Sequence, residues 1–419
     1  MRLKAHLLRQ MAILPILIFT IFTTGCATRP KPPPKGMQVT LPFGAIDIDE
    51  LHYEDDSAYQ ESIEQSFATE PSDEFDPDHD GISEYHLLAL SGGGAYGAFG
   101  AGVLCGWTEE GTRPDFKVVS GVSTGALQAT FAFLGSAYDD QLREIYTSFN
   151  SLDIYRKRWQ LVSIFSDAVN DTWPLEELLE EYVTEDVFDA VAQHHKKGHR
   201  LFVATTNIET SELIIWDMGK IASSGQPGAL EHYRRILLAS SSVPVFFPPV
   251  YFEVEGKDGE NYHEMHVDGG VFANLFFRGF MLDYEDAMQA AGIDMFKNKV
   301  SLYVIGNGRA DDVIHRTTVP GKALAIARTS IEDLFKISNR GAQYRVYVLT
   351  HRNGIDFNLA QIPQDHNLDF SPVDFNQIKM QELFDLGLNL SKSGYPWLKA
   401  PQFLDPDEII EISSDIKNE

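Results

Sequence analysis

The sequence predicts an α/β fold with a mostly parallel central sheet. Residues 85–90 form a short apolar run that is followed by a glycine-rich loop and a segment of helical composition. Residues 116–119 form a second apolar run, and a glycine-flanked turn and another helical segment follow it. Residues 300–305 are a third, strongly apolar run. Repeated strand–loop–helix units of this kind are typical of sheets whose parallel strands are buried on both faces.

The composition limits the classes of partner. The chain has 419 residues, of which 43% are hydrophobic, enough for one large core or two moderate ones. A formal net charge of -27 argues against a nucleic-acid partner and against electrostatic docking on anionic lipid. The chain has two cysteines, Cys26 and Cys105, without the Cys/His spacing of a metal site. We therefore expect neither nucleic acid nor a metal.

The first 25 residues have the order of a secretion signal. A basic start is followed by an apolar run over residues 11–22 and by small residues before Cys26. The apolar run is too short to span a bilayer comfortably, which makes a transmembrane helix the weaker interpretation.

The residues before Cys26 resemble a bacterial lipobox, with Thr23 where such signals usually have Leu. This resemblance implies that residues 1–25 are removed and that Cys26 is lipidated. Ala27 is compatible with sorting to the outer membrane, so the resemblance implies a lipid-anchored protein of the bacterial cell envelope.

Residues 26–82 are predicted to form an acidic, proline-containing tether. Residues 30–34 are rich in proline, and residues 46–80 contain many acids and no Lys or Arg, which favours disorder or loose attachment. A few apolar side chains could still dock on the main domain: Ile46, Ile48, Leu51 and Phe67. We expect the globular domain over residues 83–397 and an acidic C-terminal tail over residues 398–419.

The glycine-rich loop after the first strand contains Gly92, Gly93, Gly94 and Gly97. A glycine loop between a strand and a helix can present several backbone N–H groups to an anion. Three interpretations are open at this point: a dinucleotide site, an oxyanion hole for acyl transfer, and a structural turn. The first is weak because no convincing ribose-binding acid ends a second strand.

Ser123 lies between Gly121 and Gly125 in a G-x-S-x-G pattern. A serine on a sharp turn between strand and helix projects its hydroxyl from the backbone, as a nucleophile requires. The simpler interpretation is that Ser123 only caps the following helix. The neighbouring strand of a parallel sheet would bring the glycine loop beside this serine, which is the arrangement of an acyl-enzyme mechanism.

A third motif, Asp268-Gly269-Gly270, follows an apparent strand or hairpin. Asp-Gly-Gly alone predicts a β-turn. A carboxylate at the end of a strand can also act as the base that a serine nucleophile needs. His266 shares a strand face with Asp268 by two-residue alternation and is expected to support the site rather than catalyse.

The three motifs, in this order and spacing, resemble those of the patatin-like phospholipase family. The resemblance covers about residues 84–310 and implies a three-layer α/β/α fold. It further implies that Ser123 is the nucleophile, that Asp268 is the base, and that N–H groups of Gly92, Gly93 and Gly94 form the oxyanion hole. The implied substrate is a carboxylic ester of a lipid or phospholipid, hydrolysed without a cofactor. Many relatives have Lys or Arg where this chain has Tyr96, which weakens the expectation of a phospholipid more than that of an ester.

Three alternatives remain open. A Ser-His-Asp hydrolase would need a histidine, and His351 and His366 lie late enough in the chain to be candidates. The fold could instead serve binding in an envelope lipoprotein without catalysis, or transfer the acyl group to an acceptor other than water.

The remaining patterns are an aromatic pair and the apolar spacing of the C-terminal third. Phe246 and Phe247 could wall an acyl pocket or belong to the core. In the C-terminal third, the apolar spacing predicts helices over residues 321–337 and 375–390, and a strand over residues 344–349.

Overall fold

The computed structural model describes residues 29–47, 57–71, 74–76, 80–158, 166–277, 288, 292–293, 298–308, 318–402 and 404. The predicted signal peptide, Cys26 and most of the predicted C-terminal tail lie outside these residues. Within the described ranges, no helix combines the length and apolarity needed to cross a membrane.

Within the described residues, nine strands form the main sheet and two short strands form a separate ribbon. The strands of the main sheet are β1 Ala45–Asp47, β2 Glu84–Leu90, β3 Val118–Val122, β6 Arg200–Asn207, β7 Glu212–Asp217, β8 Val250–Glu255, β9 Asn261–Asp268, β10 Lys299–Gly306 and β11 Asp356–Gln361. The ribbon consists of β4 Arg156–Lys157 and β5 Asn170–Asp171.

The described helices are α1 Ser57–Thr69, α2 Gly97–Glu110, α3 Thr124–Leu134, α4 Asp139–Thr147, α5 Ser151–Ile154, α6 Trp173–Tyr182, α7 Glu185–Lys196, α8 Met218–Ser223, α9 Ala229–Ser240, α10 Ala323–Arg352 and α11 Gln377–Lys392. Short 3-10 turns follow β2 and β9, at Gly94–Tyr96 and Gly269–Val271.

The sheet order is β1-β7-β6-β3-β2-β10-β11. The last five strands in this order, β6, β3, β2, β10 and β11, are parallel to one another. Leu90 at the end of β2 pairs with Gly121 of β3 and with Ile305 of β10. Because parallel strands end at the same edge, the glycine loop after β2 and the serine turn after β3 lie side by side there. β9 joins this edge from the opposite direction, with Asp268 paired to Thr205 of β6.

Helices cover both faces of the sheet, as the α/β prediction required. Along β2, Leu88 and Leu90 belong to one buried cluster, which includes α2, α3, α9 and α11. Leu87 and Ala89 belong to a second cluster, which includes α1 and the C-terminal half of α10. Successive residues of a strand point to opposite faces, so the two clusters are the two interfaces of a three-layer α/β/α arrangement.

One prediction for the C-terminal third needs correction. Residues 344–349 were expected to form a strand, but they belong to α10, which continues to Arg352. The strand that completes the sheet is β11, twelve residues after that run begins. Val346 and Tyr347 are buried against the second cluster. They share one buried face of the helix with Asn339, Gln343 and Thr350. The apolar residues that we interpreted as a strand are therefore the buried side of a helix.

Part of the predicted tether is packed on the domain. Ala45–Asp47 extends the sheet beyond β7 as an antiparallel strand, with Ile46 buried. Helix α1 buries Ile63 and Phe67 against the second cluster. The expectation of docking therefore holds for Ile46 and Phe67, whereas Ile48 and Leu51 lie outside the described residues.

Candidate active site

Ser123 lies on a strained turn between β3 and α3. Its φ of 55° and ψ of -125° are a conformation that a residue with a side chain rarely adopts. Its side chain makes no capping hydrogen bond to α3. The interpretation of Ser123 as a helix cap is therefore wrong, and the hydroxyl points into the site at the sheet edge.

Glycines on either side make the turn possible. A Cβ at Gly121 would lie 2.3 Å from the Gly125 carbonyl oxygen, and a Cβ at Gly125 would lie 2.3 Å from the Leu90 carbonyl oxygen. Both distances are far below van der Waals contact, so only glycine allows β2, β3 and α3 to approach this closely.

The turn after α9 holds both Ser123 and Asp268. The Ser123 N–H donates to Ser240 Oγ at 3.0 Å, and Ser240 Oγ donates in turn to the Ala204 carbonyl at 2.7 Å. The Asp268 N–H donates to the Ser242 carbonyl at 2.9 Å. Sequence reasoning assigned no role to Ser240 and Ser242, which lie just before Val243.

Asp268 is fully buried at the end of β9. Its Oδ1 accepts a hydrogen bond from the Gly270 N–H at 2.7 Å. Its Oδ2 has no partner with hydrogen-bond geometry among the described residues, yet the Ser123 hydroxyl is close enough to favour the charged form. Catalytic hydrogen bonds are often loose in a structure without substrate, so this geometry is compatible with a serine nucleophile and a carboxylate base.

Burial is the main influence on the carboxyl group of Asp268. Removal from water disfavours the charge and raises the pKa of Asp268 to about 7, against the opposing effects of the Ser123 hydroxyl and the Gly270 N–H. A carboxylate with a pKa near neutrality is a much better base than one in water, where the pKa is about 4. The environment of Asp268 thus suits proton abstraction.

The glycine loop faces Ser123 across the sheet edge. A Cβ on Gly92 would lie 3.2 Å from the Ser123 Cβ, which shows how close the two segments are. The Gly92 N–H already donates to the Asn274 carbonyl at 2.9 Å. The described residues offer no acceptor to the N–H groups of Gly93 and Gly94, so these two, and not Gly92, are available as oxyanion donors.

Two asparagines that sequence reasoning missed hold this loop. Asn307 follows β10 and donates from Nδ2 to the Ser91 carbonyl at 2.8 Å and to Gln128 Oε1 at 2.7 Å. Asn274 packs its side-chain oxygen against Gly92 and Gly270. The position of Asn307, directly after an apolar strand that ends at the site, is a signal that could have identified it.

A cavity of about 310 Å³ opens from Ser123. The glycine loop, Asn274 and Asn307 form its polar end. Its apolar wall consists of Val243, Phe246, Ile331, Phe335, Leu368 and Val373. Phe246 thus lines the cavity, whereas Phe247 packs against Tyr155. The wall offers a volume and a polarity that suit part of an acyl chain.

Tyr96 has a structural part in this cavity. Its ring lies edge-on to Phe370, and its hydroxyl donates to the Phe370 carbonyl. It therefore joins the glycine loop to the segment that forms part of the cavity wall. Lys336 of α10 also lines the cavity.

The histidines considered as bases lie elsewhere. His266 is fully buried, and its Nδ1 lies 2.9 Å from Thr205 Oγ1, which also accepts from the Trp216 indole. His351 and His366 are absent from the described lining of the Ser123 cavity. His266 therefore supports β9, as expected, and the described cavity lining contains no histidine.

Metal binding and a larger cleft are two further possibilities in the described part of the chain. Across the described ranges, no three His, Cys, Asp or Glu side chains are grouped so that they could hold a metal ion. A larger cleft of about 560 Å³ lies away from Ser123. Its Arg234 and Arg235 already donate to protein carbonyls.

Comparison with known proteins agrees with this geometry. A sequence model described as patatin-like phospholipase matches residues 88–281. The chain is 26% identical over 209 residues to Patatin-like protein 2 of Oryza sativa subsp. indica, and equally to that of subsp. japonica. The aligned part covers 45% of this chain and 50% of each relative, so the chain spans about half the length of these curated relatives.

Among solved structures, VipD from Legionella pneumophila aligns with a TM-score of 0.32 and 12% identity, over 80% of this chain and 74% of that chain. The family match rests on the sequence of residues 88–281, which contain Ser123, Asp268 and the glycine loop. This part of the chain is similar to the patatin-like phospholipase family.

Proposed function

We propose that this protein hydrolyses carboxylic esters of lipids through a dyad of Ser123 and Asp268. One observation carries the proposal: a serine on a strained, glycine-flanked turn faces a fully buried carboxyl group at the polar end of an apolar cavity. Burial gives the carboxylate the basicity that a serine hydroxyl requires. The apolar wall would hold the acyl chain while the ester carbonyl lies at the glycine loop.

The reaction proceeds in two halves. Ser123 Oγ attacks the ester carbonyl while Asp268 takes the hydroxyl proton, and the N–H groups of Gly93 and Gly94 stabilise the oxyanion. The tetrahedral intermediate collapses to an acyl-serine, and Asp268 returns the proton to the leaving alcohol. Water then gives a proton to Asp268 as it attacks the acyl-serine. The second tetrahedral intermediate collapses, Asp268 returns this proton to Ser123 Oγ, and the fatty acid is released.

A lipophilic fluorophosphonate tests the nucleophile without a choice of substrate. We expect the full chain to form an adduct that peptide mass spectrometry maps to Ser123, and we expect Asp268→Asn to lose it because no base then activates the hydroxyl. Ser123→Ala should lower the rate of ester hydrolysis by several orders of magnitude. A well-folded protein that forms no adduct would exclude the hydrolase and favour a binding function.

Product analysis separates hydrolysis from acyl transfer. Reactions that contain a lipid ester and an added alcohol should release free fatty acid as the main product. A new ester that accounts for most of the acyl groups would instead show that the same Ser123 intermediate serves transfer.

The envelope location is proposed from the sequence. We propose that residues 1–25 are removed and that Cys26 carries a lipid anchor in the outer membrane. Metabolic labelling with an alkyne fatty acid should mark the wild-type protein and not Cys26→Ser. Labelling that persists in Cys26→Ser would contradict the anchor and leave the hydrolase proposal unaffected.

A further inference from the structure

Helix α10 carries an outward apolar stripe, defined here as Ile326, Leu334, Ile337 and Tyr344. Ile326, Leu334 and Ile337 are 51%, 63% and 66% exposed. At about 100° per residue, the four positions fall within about 80° of the helix circumference. Asn339, Gln343 and Val346 are buried on the opposite side. Single exposed apolar residues are common, but a stripe along one face of one helix indicates a binding surface.

The stripe lies on the outside of the cavity wall. Ile331 and Phe335, in the same helical turns as Leu334 and Ile337, line the cavity that contains Ser123. One side of these turns therefore faces the proposed acyl site and the other faces solvent. A surface that contacts the stripe would lie next to the entrance through which an acyl chain must pass.

The charge of α10 is opposite to that of the whole chain. The helix contains five basic residues and two acidic ones, Glu332 and Asp333; the basic residues are Arg328, Lys336, Arg340, Arg345 and Arg352. Its formal charge is therefore +3, in a protein whose net charge is -27. Arg328 pairs with Glu332, whereas Arg340, Arg345 and Arg352 fall beside the stripe at 100° per residue, against the single acid Asp333. The overall acidity opposes non-specific attraction to anionic lipid, whereas the C-terminal half of α10 has a local excess of basic residues next to the stripe.

We propose that the outward apolar stripe of α10 docks the protein on an anionic lipid bilayer and brings the cavity of Ser123 to the membrane surface. The proposal rests on the proposed lipid hydrolase function, since lipid esters are found in bilayers. Apolar side chains that enter the interface, flanked by basic residues, match the chemistry of an anionic membrane. A second copy is less favourable, because a symmetric dimer through the stripe would place two basic helices together.

Vesicle binding tests the stripe directly. The full chain with Cys26→Ser, to remove any lipid anchor, and with Ser123→Ala, to prevent turnover, is mixed with vesicles of phosphatidylcholine alone or with phosphatidylglycerol. We expect flotation with the anionic vesicles that weakens at high salt. Leu334→Gln with Ile337→Gln should lower this binding about tenfold, since two apolar side chains no longer enter the interface.

A matched control uses an exposed apolar side chain near β1, an edge strand of the sheet. Leu41, next to β1, is 44% exposed. Leu41→Gln changes the same chemistry as Leu334→Gln far from the cavity, and we expect it to bind vesicles as the parent does. Equal binding by the parent and the double variant would overturn the proposal. So would light scattering that shows a dimer dissociated by the double variant, with vesicle binding unchanged.

Activity distinguishes failure of the docking surface from failure of the hydrolase. With Ser123 restored, the double variant should hydrolyse a soluble short-chain ester at the parental rate and vesicle lipid more slowly, in proportion to its binding. Hydrolysis of vesicle lipid at the parental rate would contradict docking through the stripe. If the parent hydrolyses neither substrate but only the double variant loses flotation, the docking surface stands and the hydrolase proposal fails.

Discussion

Ser123 and Asp268 depend on neighbours that take no part in the chemistry. The strained backbone of Ser123 has its N–H bonded to Ser240 Oγ, and the Asp268 backbone is bonded to the same turn through Ser242. A conformation of this kind persists only where surrounding contacts determine it. At the scale of single residues, the site is therefore a strained serine, a buried acid and the turn that orients both.

The buried carboxyl group predicts the pH dependence of the reaction. Because the pKa of Asp268 is about 7, the base form is scarce below neutrality. We expect kcat/KM for a soluble ester to rise with pH, by about tenfold per unit below pH 7, and to level off above it. A stopped assay across this range measures the profile. A flat profile between about pH 5 and 8 would contradict Asp268 as the base.

The same pKa predicts a stability effect. The unfolded carboxyl group has a pKa of about 4, so the folded state binds the proton more tightly. Its stabilising contribution is complete below that value and is lost as the pH rises through about 7. Asp268→Asn should therefore have a higher Tm than the wild type near pH 8 and the same Tm near pH 4. Thermal denaturation at the two pH values measures both.

Ser240 is predicted to be a positioning residue. Ser240→Ala leaves the Ser123 N–H without its partner, and we expect kcat to fall by about tenfold to a hundredfold with little change in KM, because the hydroxyl is misplaced. The control is Ser241→Ala, since the buried Ser241 hydroxyl has no hydrogen-bond partner among the described residues. A lower Tm with unchanged kcat would mean that Ser240 is only structural.

At the scale of elements, glycines decide how closely the helices pack. Gly387 of the C-terminal helix is one such glycine. In the structure it lies inside α11, where a Cβ would be 2.3 Å from the Phe99 carbonyl oxygen of α2. Gly102 of α2 faces the Phe384 carbonyl in the same way. The cost of glycine in a helix is thus offset by a helix contact that brings two backbones together.

The same substitution at two helical glycines tests this explanation. We expect Gly387→Ala to lower the free energy of unfolding by about 1–3 kcal/mol, since the contacting atom is backbone and cannot move aside easily. Gly341→Ala in α10 meets nothing within 4 Å. It should raise stability by up to about 1 kcal/mol through helix propensity alone. Denaturant titration measures both, and equal effects would exclude close packing as the reason for Gly387.

At the scale of the whole molecule, the segment before the glycine loop is part of the fold. Lys117 at the start of β3 is fully buried, forms an ion pair with Glu70, and donates to the Ser66 carbonyl at 3.1 Å. Burial lowers the pKa of Lys117 to about 8 despite the Glu70 carboxylate. Phe67 and Phe75 present their rings to the same ammonium group at 4.6 and 4.9 Å. These contacts attach α1 to the sheet.

Removal of the Glu70 charge should weaken the entire domain. Glu70→Gln leaves the Lys117 ammonium buried without a counter-charge, which typically costs about 3–5 kcal/mol. Glu260→Gln removes the partner of Lys31 in an exposed pair and should leave the free energy of unfolding unchanged. Denaturant unfolding of the full chain compares the two. An unchanged free energy in Glu70→Gln would show that α1 is only loosely attached.

The sequence by itself determined the α/β class, the order of the three motifs, and the glycine, serine and aspartate residues of those motifs that meet at one edge of the sheet. Local patterns carried this information: apolar runs marked buried strands, and the glycines of residues 92–94, Gly121 and Gly125 marked turns that no other residue allows. Three predictions made from local patterns needed correction. They are the Gly92 N–H as an oxyanion donor, a strand over residues 344–349, and the loose attachment of residues 46–80. In each case a distant segment supplies the deciding contact.

Only the tertiary structure decided the chemistry of the site. The pKa of Asp268 depends on how completely other segments exclude water from it. Ser240, Asn274 and Asn307 reach the site from three separate parts of the chain. The apolar wall combines residues of α10 with Phe246 and Val373. Burial and hydrogen bonding of this kind depend on which segments the fold brings together, and no local pattern in the sequence records that.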